Sequence, residues 1–117
     1  MKRRLTGLVA VAATAALAVG AGSAMAGTST SVSIEAQSIG FFGYVHSSKG
    51  SCEAGRKVKL YKVKRHGRDL KVGSDIAQPN GPDSMWSINT DLHGKFYAKV
   101  PATDKCDAAV SDTVHSE

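Results

Sequence analysis

Lys57-Val58-Lys59-Leu60-Tyr61-Lys62-Val63-Lys64 alternates charged and apolar residues with a period of two, the pattern of a β-strand that turns one face to a core. Val58 and Leu60 share one face, whereas Tyr61 and Val63 fall on the other. The phase changes at Leu60-Tyr61, which predicts either a β-bulge at that step or partial cover on both faces. His66-Gly67-Arg68-Asp69 follows with turn chemistry, and Leu70-Lys71-Val72-Gly73 begins a return strand, so the segment reads as a hairpin.

The same signature recurs on both sides. Upstream, Ser31 to Ala36 places Val32, Ile34 and Ala36 on one face, and Phe41 to His46 forms a second run closed by Ser47, Ser48 and Gly50. Downstream, Pro79-Asn80-Gly81-Pro82-Asp83 is the strongest turn signal in the chain. It precedes Met85-Trp86-Ser87-Ile88, in which Trp86 and Ile88 point inward. His93-Gly94 turns into Lys95 to Val100, where Phe96, Ala98 and Val100 oppose Tyr97 and Lys99, and Pro101 ends the strand. A last run spans Ala109 to His115. Seven such runs without helical periodicity predict an all-β fold, an antiparallel β-sandwich of about seven strands with prealbumin-like or immunoglobulin-like architecture. A partly open barrel is the alternative.

The beginning of the chain reads differently. Met1-Lys2-Arg3-Arg4 is basic, Leu5 to Val19 is an uncharged stretch rich in Ala, Val and Leu, and Ala24-Met25-Ala26 supplies small residues for a signal peptidase. Residues 1–26 are therefore expected to be a helical signal peptide cleaved between Ala26 and Gly27, residues 27–29 a flexible tail, and residues 30–117 one sandwich domain. A permanent membrane anchor is disfavoured, because a spanning helix takes roughly 20 apolar residues. The expected product is secreted, extracellular or attached to the cell surface, and monomeric. Lys2, Arg3 and Arg4 leave with the leader, so the formal charge of +5 falls to +2, twelve Lys and Arg against ten Asp and Glu. That argues against a globally basic nucleic-acid binder.

A domain this small has a marginal core. Both cysteines, Cys52 and Cys106, belong to the exported part, where oxidising conditions let them pair. A metal site built on them would need further ligands at short spacing, and no Cys-x-x-Cys occurs.

The order Gly43-Tyr44-Val45, Cys52 to Tyr61, Val72-Gly73-Ser74-Asp75, Trp86, Gly94 to Val100 and Cys106 resembles small secreted proteins of Gram-positive bacteria with a transthyretin-like or carboxypeptidase-regulatory-like β-sandwich. The resemblance covers about residues 40 to 114. It implies a fold and a compartment, and no activity.

Few residues carry chemistry. His46, His66, His93 and His115 stand one to a segment, none at His-x-His or His-x-x-x-His spacing, so neither metal nor other cofactor is expected from local motifs, and a site would have to be assembled in three dimensions. No serine sits in Gly-x-Ser-x-Gly or Ser-x-x-Lys. Asp83, Asp91, Asp104 and Asp107 read as turn formers, and Gly43, Gly55, Gly73 and Gly94 as turn glycines. No enzyme is expected: the chain reads as a structural or binding module of unknown ligand, with a small extracellular hydrolase or inhibitor as the remotest alternative. The most unusual feature is the basic run Arg56, Lys57, Lys59, Lys62, Lys64, Arg65, Arg68 and Lys71. It reads either as an edge strand guarded by lysines against sheet-to-sheet aggregation, or as a cationic strip for an anionic or carbohydrate polymer of the cell envelope. The partners expected are thus an envelope polymer or another surface protein. Most of the seven aromatic residues are expected in the core, Trp86 among them; exposure of Trp86 with Tyr97 would favour carbohydrate binding.

Overall fold

The computed structural model describes residues 27–116; the expected signal peptide and its cleavage junction at Ala26 lie outside the described residues, apart from Gly27. The described residues are all-β. Their ten strands are β1 (Thr30–Val32), β2 (Glu35–Gln37), β3 (Gly40–Ser47), β4 (Lys57–Lys62), β5 (Leu70–Ile76), β6 (Gln78–Asn80), β7 (Asp83–Ile88), β8 (Gly94–Val100), β9 (Ala109–Val110) and β10 (Val114–Ser116). They form two antiparallel five-stranded sheets. One has the order β1-β3-β7-β6, with β2 also on β3; the other has β10-β8-β4-β5, with β9 also on β8.

Ten strands appear where seven runs were expected, and serine side chains explain two of the three additions. Within the first run, Tyr44 donates its N–H to Ser33 Oγ (2.9 Å), while the Ser33 carbonyl turns to accept from Trp86 Nε1 (3.1 Å). The ladder breaks there, and β1 and β2 result. In the last run Ser111 Oγ accepts the Ala98 N–H (2.8 Å), which splits β9 from β10. The third addition is β6, the first arm of the Pro79–Asp83 turn, in which Asn80 pairs with Asp83 across Gly81-Pro82. Between β5 and β6 the chain crosses from one sheet to the other at buried Ala77, whose N–H and carbonyl are bonded to Arg56 and Gly55.

The bulge falls where the phase change placed it. Leu60 pairs with Gly73 but Tyr61 with Lys71, leaving Val72 as the extra residue on β5. Between the sheets lie Val32, Ile34, Phe41, Val45, Trp86 and Ile88 from one side and Val58, Leu60, Phe96, Ala98 and Val100 from the other. Phe41 and Phe96 meet across the core with ring centroids 4.4 Å apart. The expectation that most aromatics are internal is corrected: only Phe41, Trp86 and Phe96 are buried, and Phe42, Tyr44, Tyr61 and Tyr97 lie half-buried on outer faces. Gly43 is not a turn residue either. It sits in the middle of β3, where a Cβ would lie 1.9 Å from the Ser33 carbonyl oxygen and 2.9 Å from Trp86 Nε1, so glycine lets the indole cross the strand.

Cys52 and Cys106 form the disulfide, with Cα atoms 5.5 Å apart, and close one end of the sandwich. Arg56, beside it, is only 4% exposed. Its guanidinium donates to Thr30 Oγ1 (3.2 Å) and to the carbonyls of Cys52 (3.0 Å), Pro101 (2.9 Å) and Asp107 (2.9 Å), tying β1, the disulfide turn and the chain beyond β8 together. Burial pushes this guanidinium below its ordinary pKa, and the Asp107 carboxylate opposes the shift. Residues 27–29, expected as a flexible tail, lie against the disulfide end. Thr28 bridges to Cys106, its N–H reaches the Lys105 carbonyl and its carbonyl accepts from Asp107, while Gly27 N donates to Asp107 Oδ1 (2.8 Å).

Candidate functional site

The basic run does not stay together. Arg56 leaves the candidate surface, because its head group is spent on internal carbonyls. Lys57 and Lys59 point away from the core, as the buried alternates Val58 and Leu60 require. Lys62 falls on the opposite side, against Gly94. Lys64, Arg65 and Arg68 are exposed on the loop joining β4 to β5, and Lys71 is exposed on β5. Nor is β4 an edge strand. It is paired with β5 on one side and β8 on the other, so edge protection does not account for its lysines.

What joins Lys57 and Lys59 is β8, whose outward residues are Lys95, Tyr97 and Lys99. Register places Lys59 directly opposite Lys99 and Tyr61 directly opposite Tyr97. Lys71 follows on the other side of Tyr61, and His115 of β10 opposes Lys95. The outer face of this sheet thus carries five lysines around a pair of tyrosines. The two rings stack with centroids 5.4 Å apart and planes 16° apart. Tyr97 donates its hydroxyl to Asp69 Oδ2 (2.7 Å), and Asp69 Oδ1 accepts the Lys64 N–H (3.1 Å), which fastens the loop onto the pair. That hydrogen bond, with burial and the Asp69 charge adding to it, pushes the Tyr97 phenol up to about 12; reciprocally, the bonds from Tyr97 and Lys64 hold the Asp69 carboxyl below its usual value.

The face costs the fold something. Like charges directly opposite across a ladder are destabilising, and none of these lysines makes an ion pair among the described residues. Lys95 and Lys99 were not among the residues the sequence singled out, and nothing local pairs Tyr61 with Tyr97. The alternation in Lys95 to Val100 already turns Tyr97 and Lys99 outward, but no local signal says that this strand lies beside β4.

Two other places gather polar side chains. On the opposite sheet, His46 at the end of β3 reaches Asp83 at the start of β7: Nδ1 is 2.6 Å from Asp83 Oδ1 and 3.5 Å from Glu53 Oε2. The hydrogen bond and charge of Asp83, with a smaller contribution from Glu53, raise the His46 pKa against the opposing effect of desolvation. Glu53 is buried on the disulfide-held turn and accepts the Ser47 N–H (2.8 Å). At the far end of the sandwich, an open cleft of about 540 Å³ is lined by Ile39, Leu92, Thr90, Asp91, His93 and His115, among others. His46, His66 and His93 make no hydrogen bond to a serine or threonine hydroxyl among the described residues. Trp86, 1% exposed, cannot serve as a sugar platform.

Comparison with protein-family models, curated proteins and solved structures gave no match. No helix among the described residues is long and apolar enough to cross a membrane.

Proposed function

We propose that this protein is an exported, non-enzymatic binding module that engages a phosphate-bearing polymer of the cell envelope through the outer face of β5, β4 and β8. The observation that carries the reading is the direct opposition of Lys59 and Lys99, beside the stacked Tyr61 and Tyr97. An anionic chain laid along this row would relieve the repulsion that the fold tolerates without it. A carbohydrate reading is weaker, since the two rings cover one face of each other and Trp86 is internal.

Export is supported by the leader pattern, by the disulfide and by the fit of Gly27. Cleavage after Ala26 would leave its nitrogen as an ammonium 2.8 Å from Asp107 Oδ1, and a Cβ there would lie 2.7 Å from the Lys105 carbonyl. Intact mass of exported protein should place the first residue at Gly27.

The binding test is retention on immobilised polyphosphate as salt is varied. Five lysines meeting a flexible polyanion give a slope of log affinity against log salt of about −3.5. Replacing Lys59 and Lys99 together with Ala should make the slope shallower by about 1.4. No retention at low ionic strength, or retention insensitive to that double change, removes the proposal.

A further inference from the structure

We propose that His46, Glu53 and Asp83 form a binding site for a single divalent transition ion of the Zn2+ type, on the sheet opposite the lysine face. One donor atom from each of the three side chains lies within 4.8 Å of the other two. Tetrahedral Zn2+ holds nitrogen and oxygen donors roughly 3.3 Å apart. The Nδ1 to Oε2 separation of 3.5 Å already matches that spacing. The Nδ1 to Oδ1 separation of 2.6 Å is a hydrogen bond that has to open, and the His46 side chain, 64% exposed, has room to swing.

Charge provides the second argument. Glu53 is nine-tenths buried, with 10% of its side chain exposed, and a buried carboxylate ordinarily requires a cation. Among the described residues no lysine or arginine reaches Glu53 or Asp83, so two carboxylates share one imidazole. A divalent ion neutralises both. The site is also held in place. Glu53 follows the 3-10 turn Gly50–Cys52, its Oε2 is pinned by the Ser47 N–H, and Cys52 is fixed to Cys106. Ca2+ and Mg2+ prefer all-oxygen shells of six or more ligands, whereas one imidazole and two carboxylates suit Zn2+ and its neighbours. Three protein ligands leave a position for water or a ligand. His46 also borders an open hollow of about 230 Å³ whose other lining residues are Ser29, Thr30, Ser31, Ser47 and Ser48.

The test is calorimetric titration of ZnCl2 into the exported protein, disulfide intact, in a non-coordinating buffer at neutral pH. The expected result is one equivalent bound, weakened about ten-fold or more by His46→Ala and, separately, by Asp83→Asn, and unchanged by His93→Ala. Near-ultraviolet dichroism of Trp86 confirms that the surface variants fold. In the unaltered protein, Zn2+ should move the imidazole 15N resonance of His46 Nδ1 rather than Nε2. Absence of saturation by about 1 mM Zn2+, affinity untouched in His46→Ala, or a shift confined to the other histidines would overturn the site. Because His46 and Asp83 lie on the other sheet and Glu53 on the disulfide-held turn, this outcome is independent of polyphosphate retention by the lysine face.

Discussion

Replacing Arg56 by Met separates what this side chain does from what its place in the basic run suggests. Methionine keeps most of the apolar stem and removes the guanidinium, and with it four hydrogen bonds, three of them to main-chain carbonyls at a closed end of the sandwich. Each is worth about 1 kcal/mol net, and more when the donor is charged, while relief of a buried charge returns part of the loss; a net destabilisation of about 3 kcal/mol follows. With an m value of about 1.5 kcal/mol/M for a domain of this size, the urea midpoint should fall by about 2 M. Polyphosphate affinity, measured well below the lowered midpoint, should stay unchanged. A midpoint shift under about 0.5 M would refute the structural role, and a loss of binding comparable to that from Lys59 would return Arg56 to the contact surface.

Lys59→Thr should raise stability by about 0.5 kcal/mol, by removing one of two facing charges, while it weakens polyphosphate retention; paired thermal melts and binding curves read both signs. Reduction of Cys52–Cys106, which opens a loop with 54 residues of sequence separation, should lower unfolding free energy by about 4 kcal/mol in urea titrations run with and without reductant. Tyr97 should ionise at about 12 rather than 10.0 in ultraviolet titration, and Asp69→Asn should bring it back toward the ordinary value. Because the folded pKa is raised, the contribution of this phenol to stability is complete below 10.0 and is lost as pH climbs through about 12. The Asp69 carboxyl behaves oppositely: its folded pKa is depressed, so its contribution holds above the usual aspartate range and disappears as pH falls through the lowered value.

The hairpin, the bulge and the inward faces of most strands are legible in the sequence because they depend on neighbours two residues apart or on turn chemistry. The Leu60-Tyr61 phase change and the Pro79–Asp83 turn are of this kind. The disulfide is legible for a different reason: a chain with two cysteines has one intramolecular pairing. The candidate sites are not local. Lys59 meets Lys99, and His46 meets Asp83, only once strands about 40 residues apart in the chain lie side by side. The burial of Arg56 has the same origin. In sequence it belongs to a run of cations, and only the return of Pro101 and Asp107 to the disulfide end supplies the acceptors that bury it. Ser33 and Ser111 show a finer limit, since a hydroxyl that replaces a ladder partner leaves the alternation intact while it breaks the strand.

The most direct test of the lysine face is a chemical-shift map of residues 27–117 as short-chain polyphosphate is added at low salt. The largest changes are expected on Lys57, Lys59, Tyr61, Lys71, Lys95, Tyr97 and Lys99, with the β3–β7 surface unaffected. Changes centred on the cleft around Leu92 and His93, or none at all, would contradict this reading.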